Sequence, residues 1–463
     1  VIAGGGVAAI EALLALRELV GTRVTITLIS PQREFVYRPV TVTEPFGHGE
    51  ARAFQLGEIV DHAGGRLVWD RVERVDPSAS TVLLGSGDTV GYDRLIVACG
   101  AIPSEPLPGA LTFRGRDDVE GLRDVLDDLT SGSARSVALT LTSEHTWTLP
   151  IYELALMTSG YLRDRGVDSD VSLVTPEEEP LELFGPAAVE AMEAMLKARH
   201  VHLRTSARPV LLRGRMLQLA GGGHVWADRV ITLPELKGPR LPGLPHDRDG
   251  FIWVDGHGRV HGAPGVYAAG DVTAFPLRQG GLAAQQADAV AENIAAELGA
   301  AVKPRPFAPV LRGLLMTGGA PLYVRSEPQR LARGSSVATE APSLRPRGRE
   351  PSAASGQPLW WPPAKIAGRY LSPFLATARP QPLSSGLLTD RIAIGGPSLS
   401  EAEFEDALGL ALLLADCDAR WGDYPAALSA LDAAEALRGA LPPEYEHKRR
   451  SWRAAERMGV RSA

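Results

Sequence analysis

The chain is poor in cysteine. Cys99 and Cys417 are the only two in 463 residues, far apart, in unlike surroundings and not part of any C-x-x-C pair. This excludes a disulfide framework and a thiolate metal centre, so no metal site is expected, and it fits a reducing cytoplasm. An excess of positive charge is also missing. Lys and Arg total 48 against 55 Asp and Glu, a net charge of -7, which leaves no basic footprint for nucleic acid. No apolar run reaches the ~18 residues of a membrane span, and no secretory leader is visible. The chain opens in mid-strand without Met, which predicts a few native residues ahead of Val1. With 44% hydrophobic residues it can bury substantial cores, and its length suggests roughly two to four domains.

The opening residues carry the first positive signal. Val1-Ile2-Ala3 reads as a strand, Gly4-Gly5-Gly6 as a tight turn, and Val7 onward as a helix with Val7, Ile10, Leu13 and Leu14 on one side. Gly4, Gly6 and Ala9 fill the pattern G-x-G-x-x-A. In a dinucleotide-binding turn these give the tight bend, backbone access to a pyrophosphate and close helix–sheet packing. Free N–H groups and the positive end of the helix dipole would then face the phosphates. A plain βα turn is the alternative. The next strand, Arg23 to Ile29, ends in Ser30 where such folds usually carry Asp or Glu for the ribose. Ribose binding would rest on Ser30, the following loop or backbone groups.

Three further segments give the chain a family likeness. Arg33-Glu34-Phe35-Val36-Tyr37-Arg38-Pro39 is an aromatic-rich segment ending in Pro. Tyr92-Asp93-Arg94-Leu95-Ile96-Val97-Ala98-Cys99-Gly100-Ala101 looks like the strand YDxLVVATGA, with Cys99 in place of Thr. Gly265-Val266-Tyr267-Ala268-Ala269-Gly270-Asp271 looks like VYAxGD. Together they resemble the sulfide:quinone reductase and type II NADH dehydrogenase group of the FAD-dependent pyridine nucleotide-disulfide oxidoreductases. The resemblance implies FAD in the first site. It implies cofactor contacts at Gly4, Gly6, Val7, Ala8, Ala9, Ser30, Arg38, Pro39, Val72, Ala98, Cys99, Gly100, Gly270, Asp271, Gly281 and Leu282. Asp271 would accept hydrogen bonds from the ribityl chain. Cys99 is expected to be a small buried residue, not a redox thiol. Gln279 to Gln285 opens a helix running to about Leu298, whose N-terminus would point at the flavin pyrimidine and favour an anionic reduced flavin.

A second βαβ unit follows: strand Ser136 to Leu141, helix Leu149 to Arg165 and strand Asp170 to Thr175. In the family this unit holds NAD(P)H. Here the turn Thr142 to Pro150 has no glycine, and its side chains would fill the space of a pyrophosphate. Sulfide:quinone reductases are similar in lacking this nucleotide site, and they place a redox Cys near the same turn. This chain has Thr146 and Trp147 there and no cysteine in the domain, so that relay chemistry does not carry over. Glu144 and His145 read either as a solvated loop pair or as groups near the flavin. Glu177, Glu178 and Glu179 read as a solvated acidic turn. Arg208 to Leu219 and Asp228 to Leu233 suggest a hairpin and a closing strand.

Residues 326–358 are rich in Ser, Pro, Arg, Ala and Gly and read as a disordered linker. Residues 359–380, with Trp360, Trp361, Lys365 and Tyr370, have three readings. They are a cover over the flavin or its acceptor site, an interfacial anchor at a membrane surface, or a core-packing segment. Residues 401–457 look like one tetratricopeptide-type helical hairpin, either docked on the body or serving a protein partner.

The fold class expected is α/β, with two Rossmann-like dinucleotide-binding domains and a C-terminal α-helical hairpin. The FAD domain is discontinuous (1–112 and 256–325) and an NAD-like domain, 113–255, is inserted in it. The function implied is an FAD-dependent oxidoreductase passing electrons from a small-molecule donor to an acceptor such as a quinone. His145, Lys365 and Tyr370 are the catalytic candidates. A homodimer and peripheral contact with the inner face of a membrane are compatible with it. The alternative is a non-catalytic flavin-binding sensor whose helical tail recruits a partner.

Overall fold

A computed structural model describes residues 1–327, 329–330, 344–345, 353–355, 359, 364–377, 428, 431–432, 435, 441 and 443–457. Two compact units divide the chain, Val1–Leu375 and Ala376–Ala463.

The first unit is built on two parallel sheets. The strands of the first run in the order Val266–Ala268, Leu95–Val97, Ile2–Ala3, Thr27–Ile29 and Arg66–Val68. They are short and almost wholly apolar, as strands covered on both faces must be. One face is packed by helices α1 (Val7–Val20), α2 (Leu56–His62) and α6 (Gly280–Glu297), through Ile10, Leu13, Leu56, Ala287 and Val290. The other is covered by the antiparallel strands Val72–Asp76, Thr81–Leu84 and Thr89–Gly91, together with Leu241, Leu244 and Ile252. The first lobe therefore takes the chain back from Leu241, ahead of the boundary at 255 expected from the sequence. Only isolated bridges such as Val254–Val260 mark this return, so the sequence carries no periodic signal for it. The strand expected from Arg23 begins only at Thr27, because Gly21–Arg23 is wound as a 3-10 turn.

The second sheet runs Leu111–Thr112, Arg229–Thr232, Ser136–Thr140, Asp170–Val174 and Val201–Arg204, again parallel. Helices α3 (Val119–Ser131), α4 (Leu149–Arg163) and α5 (Pro186–Ala198) contribute to its core. Pro150 sits in the first turn of α4, where its missing N–H costs nothing. The expected hairpin is present as Pro209–Arg213, Met216–Leu219 and His224–Trp226. The two chain passages between the sheets are paired to each other, Ile102–Ser104 antiparallel to Glu235–Lys237.

A third sheet, Leu311–Leu315, Leu322–Ser326 and Ala353–Ser355, is antiparallel. Its last strand lies inside the stretch read as a disordered linker, which corrects that reading for these three residues. Ala and Ser give no strand signal alone; the edge of Leu322–Ser326 supplies the hydrogen bonds. Residues 364–377 then return to the first lobe and end in the short helix α7 (Leu371–Thr377), with Ile366 and Leu371 in the core under α1 and α6. Trp360 and Trp361 lie outside the described residues.

In the second unit the helix Pro443–Arg457 is described, and Arg449 on it pairs with Asp432 at 2.7 Å and Glu435 at 2.6 Å. Most of the expected 401–457 hairpin, including Gly422-Asp423-Tyr424, falls outside the described residues.

Candidate active site

The first strand turns at Gly4 under tight constraint. Its φ is +135°, and a Cβ there would stand 2.2 Å from the carbonyl oxygen of Ala98. Gly4 is thus fixed by the crossing of two strand ends as well as by the bend. A Cβ on Gly6 would meet nothing within 4 Å. Gly6 is the N-cap of α1 and offers no side chain to its first turn. Open space over an uncapped helix start is what an anionic phosphate group needs.

Gly270 closes this arrangement. Ala269 N–H donates to the Val97 carbonyl at 3.0 Å, and Gly270 N–H donates to Gln286 Oε1 at 2.7 Å. The neighbouring strand ends thus bring Gly270 against Ala8 at the start of α1 and Ala283 at the start of α6. The two glycine turns, separated by most of the first unit in sequence, share one place at the carboxyl edge of the sheet. Asp271 follows and is half-buried. Burial pushes its carboxyl upward, against the pull of Arg278 and Arg38.

A cavity of about 820 Å³ opens beside Asp271. Its walls include Arg38 and Pro39 from the 3-10 stretch Arg38–Phe46, the glycine-free turn from Ser143 to Pro150, and Lys365. Of the expected residues, Arg38, Pro39, His145, Lys365 and Asp271 line it, but Tyr370 does not. Tyr370 packs beside α1, where its N–H donates to Glu11 Oε1 at 2.8 Å. Val72 packs under the first sheet, and Ser30 lies beneath Gly5, whose Cβ would stand 2.6 Å from its Oγ. Leu282 is buried and its N–H is taken by Gln279 Oε1 at 2.8 Å. The free donors at the start of α6 are therefore fewer than its glycines suggested.

Cys99 departs from expectation. It is free, and its side chain is open to solvent, although surrounding protein pushes the thiol up to about 11. At that pKa it is a thiol at neutral pH.

Sequence reasoning missed two carboxylates. Glu153 is the lone acid in the apolar helix α4 and is 1% exposed. It pairs with Lys365 and accepts from Met316 N–H at 2.7 Å. Lys365 also donates to the Pro39 carbonyl at 2.9 Å. Burial raises Glu153, and Lys365 opposes the rise. This node ties the second lobe, the Pro39 stretch and residues 364–377 to one wall of the cavity. A lone carboxylate in the apolar first half of a helix was the available signal.

Glu177 was read as part of a solvated acidic turn. Glu178 and Glu179 are exposed, but Glu177 is buried. It accepts from Tyr152 Oη at 2.6 Å and Thr175 Oγ1 at 2.9 Å. It stands just past the strand Asp170–Val174, where a dinucleotide fold uses an acid to hold a ribose. Here helix α4 claims that carboxylate, and burial pushes it up to about 7. Trp147, on the same turn, packs edge-on against Phe184 with ring centroids 5.8 Å apart.

Comparison with known proteins agrees with this geometry. The chain belongs to the pyridine nucleotide-disulphide oxidoreductase family, whose pattern matches residues 1–291. It is 30% identical over 232 residues to an NADH dehydrogenase-like protein of Mycobacterium tuberculosis, covering 47% of this chain and 58% of that relative. It is 26% identical over 285 residues to the ferredoxin reductase component of a chlorobenzene dioxygenase from Cupriavidus, covering 57% of this chain and 61% of that protein. The chain thus spans about three-fifths of these curated relatives. In fold it is similar to the sulfide:quinone oxidoreductase of Aquifex aeolicus, with a TM-score of 0.66 at 18% identity, covering 77% of this chain and 86% of that one. Putidaredoxin reductase, solved in covalent complex with putidaredoxin, gives 0.55 at 19% identity over 72% of this chain and 82% of that one. The two parallel α/β lobes are the architecture expected from the sequence.

Among the described residues no group of His, Cys, Asp and Glu could hold a metal ion, and no helix is long and apolar enough to cross a membrane.

Proposed function

We propose that this oxidoreductase binds FAD and passes electrons from a small-molecule donor to a second acceptor, a quinone being the acceptor class favoured. The observation that carries the reading is the meeting of Gly270 with Ala8, which sets Asp271 beside the open turn at Gly6 and at the mouth of the cavity. The residues present fit the cofactor. Gly4 fixes the bend, Gly6 leaves backbone exposed for a pyrophosphate, and Val7, Ala8 and Ala9 supply the first N–H groups of α1. Ala98, Cys99 and Gly100 continue the strand end that crosses Gly4, and Asp271 accepts ribityl hydroxyls. Bound FAD supplies two-electron redox chemistry. The chain's own part is to orient it, exclude water and hold charge nearby. Arg38 and Pro39 flank the cavity, and Lys365, fixed by Glu153, holds a positive charge in its wall.

The donor is not expected to be a nicotinamide dinucleotide. The turn at Ser143 to Pro150 has no glycine to let a pyrophosphate approach its backbone, and Glu177 is committed to Tyr152 and Thr175. Residues 364–377 serve as the cover over the cavity, through Lys365 and Ile366. Contact with the inner face of a membrane would suit a quinone acceptor. Docking of a protein partner on the helical tail and homodimer formation remain proposals for assembly.

The test is an anaerobic donor screen of purified protein. NADH, NADPH, sulfide and thiols are added separately while the flavin absorbance is followed. Bleaching by sulfide or a thiol, with recovery on adding a quinone, is the expected result. Bleaching by NADH would overturn the reading of the second lobe. Silence with every donor favours the second reading, a flavin-holding sensor, which the missing redox cysteines and glycine-free turn motivate.

A further inference from the structure

The cavity holds a half-buried cation that has no ion pair among the described residues. Arg312, on the strand Leu311–Leu315, lines it. Its Nε is buried without a hydrogen-bond partner among the described residues. Burial and then the like charge of Arg325 work against the protonated form, and Glu327, which pairs with Arg325 at 2.5 Å, offsets them only in part. A guanidinium does not escape by losing its proton.

The other cations of the cavity each face a carboxylate or water. Arg114 pairs with Asp118 at 3.1 Å, Lys237 and Arg248 with Asp249 at 3.4 Å and 3.6 Å, and Lys365 with Glu153. Arg278 also has a buried Nε without a hydrogen-bond partner among the described residues, but it lies 3.6 Å from the Phe251 ring centroid and faces the charge of Asp271. Arg38 is exposed to water. The cradle of Gly4 and Gly6 does not line this cavity, so a pyrophosphate held there does not supply the counter-charge to Arg312.

What adjoins Arg312 is apolar. Gly313 presses so closely on helix α4 that a Cβ would stand 2.4 Å from Leu149 and 3.3 Å from Phe184. Trp147 packs on that same Phe184, and Trp147, Leu149 and Leu314 all line the cavity. A half-desolvated cation beside an aromatic and aliphatic shelf is a complementary surface for an amphipathic anion.

We propose that this end of the cavity binds the anionic head of a small aromatic or apolar substrate, a carboxylate or comparable monoanion, with Arg312 as its counter-charge and Trp147 and Leu149 against its body. The proposal names the substrate class of the site described under Proposed function and rests on that reading for the word substrate. Calorimetric titration of the purified protein with 2-naphthoate and with uncharged 2-naphthalenemethanol tests it. Wild-type protein should prefer the carboxylate by on the order of tenfold. Arg312→Gln should erase the preference while binding the alcohol as before, and Arg312→Lys should keep part of it. Equal affinities in the wild type, or an undiminished preference in either variant, would overturn the proposal. If Arg312→Gln does not fold, the wild-type comparison and Arg312→Lys decide. The visible spectrum of the same sample separates the two claims. Colourless protein that selects naphthoate keeps the anion site and sinks the flavoenzyme reading; yellow protein indifferent to charge does the reverse.

Discussion

A methyl group on Gly270 would stand 3.0 Å from the Cβ of Ala8 and 3.4 Å from that of Ala283. The starts of α1 and α6 therefore close on a residue that must have no side chain and that holds a φ of +83°. Gly270→Ala should lose roughly 1–3 kcal/mol from backbone strain and helix displacement. Urea unfolding gives the cost, and flavin content per chain should fall with it. Unchanged stability would show that the helices part freely.

Gly4 and Gly6 should answer differently to the same substitution. At Gly4 the new Cβ meets backbone at 2.2 Å, whereas at Gly6 it meets no protein atom within 4 Å. Gly4→Ala should give insoluble or strongly destabilised protein. Gly6→Ala should keep its melting temperature and circular dichroism but release its flavin. Retention of flavin by Gly6→Ala would argue that no pyrophosphate lies over that residue.

Glu177 makes stability fall as pH rises. Its folded pKa of about 7 lies above the ordinary 4.5, so the folded state binds the extra proton between those values. Below pH 4.5 both states are protonated and nothing is lost; above 7 the loss is complete, about 3 kcal/mol. Glu177→Gln keeps an acceptor for Tyr152 and removes the proton. Denaturant titrations at pH 5 and pH 8 should show a smaller drop in the variant than in the wild type. Parallel pH profiles would place the proton elsewhere.

Lys365→Met should destabilise through the charge it leaves behind. Glu153 is buried and already raised, and removing its partner raises it further. Loss of one partner of a buried pair costs about 3–5 kcal/mol when the other stays charged. Because Glu153 can take up a proton instead, the defect should be mild near pH 5 and grow toward pH 8. Glu153→Gln with Lys365→Met should recover much of the loss, measured by thermal unfolding. An equal defect at both pH values would mean that packing, not charge, dominates.

Much of this was written in the sequence because it is local. A strand, a glycine turn and a helix start are adjacent residues, and their spacing showed them at Val1–Ile10 and again at Gly265–Asp271. The glycine-free turn at Trp147 was equally plain. What the sequence hid depends on contacts across long separations. Glu153 and Lys365 are 212 residues apart. Glu177 shares an acidic run with two solvated neighbours, and only the Tyr152 hydroxyl distinguishes it. Tyr370 was a candidate by its chemistry, yet packing sends it toward α1. Cys99 looked like a core residue by type, yet the fold leaves it exposed. Arg312 gave no signal, since an unpaired charge is defined by what fails to surround it.

The central claim is that both glycine turns hold one flavin, and it is tested most directly by the cofactor content of Asp271→Ala. Purified wild-type protein should be yellow and release about one FAD per chain on denaturation. Asp271→Ala should be largely colourless with an unchanged circular dichroism spectrum. Colourless wild-type protein, or full flavin occupancy in the variant, would contradict the account.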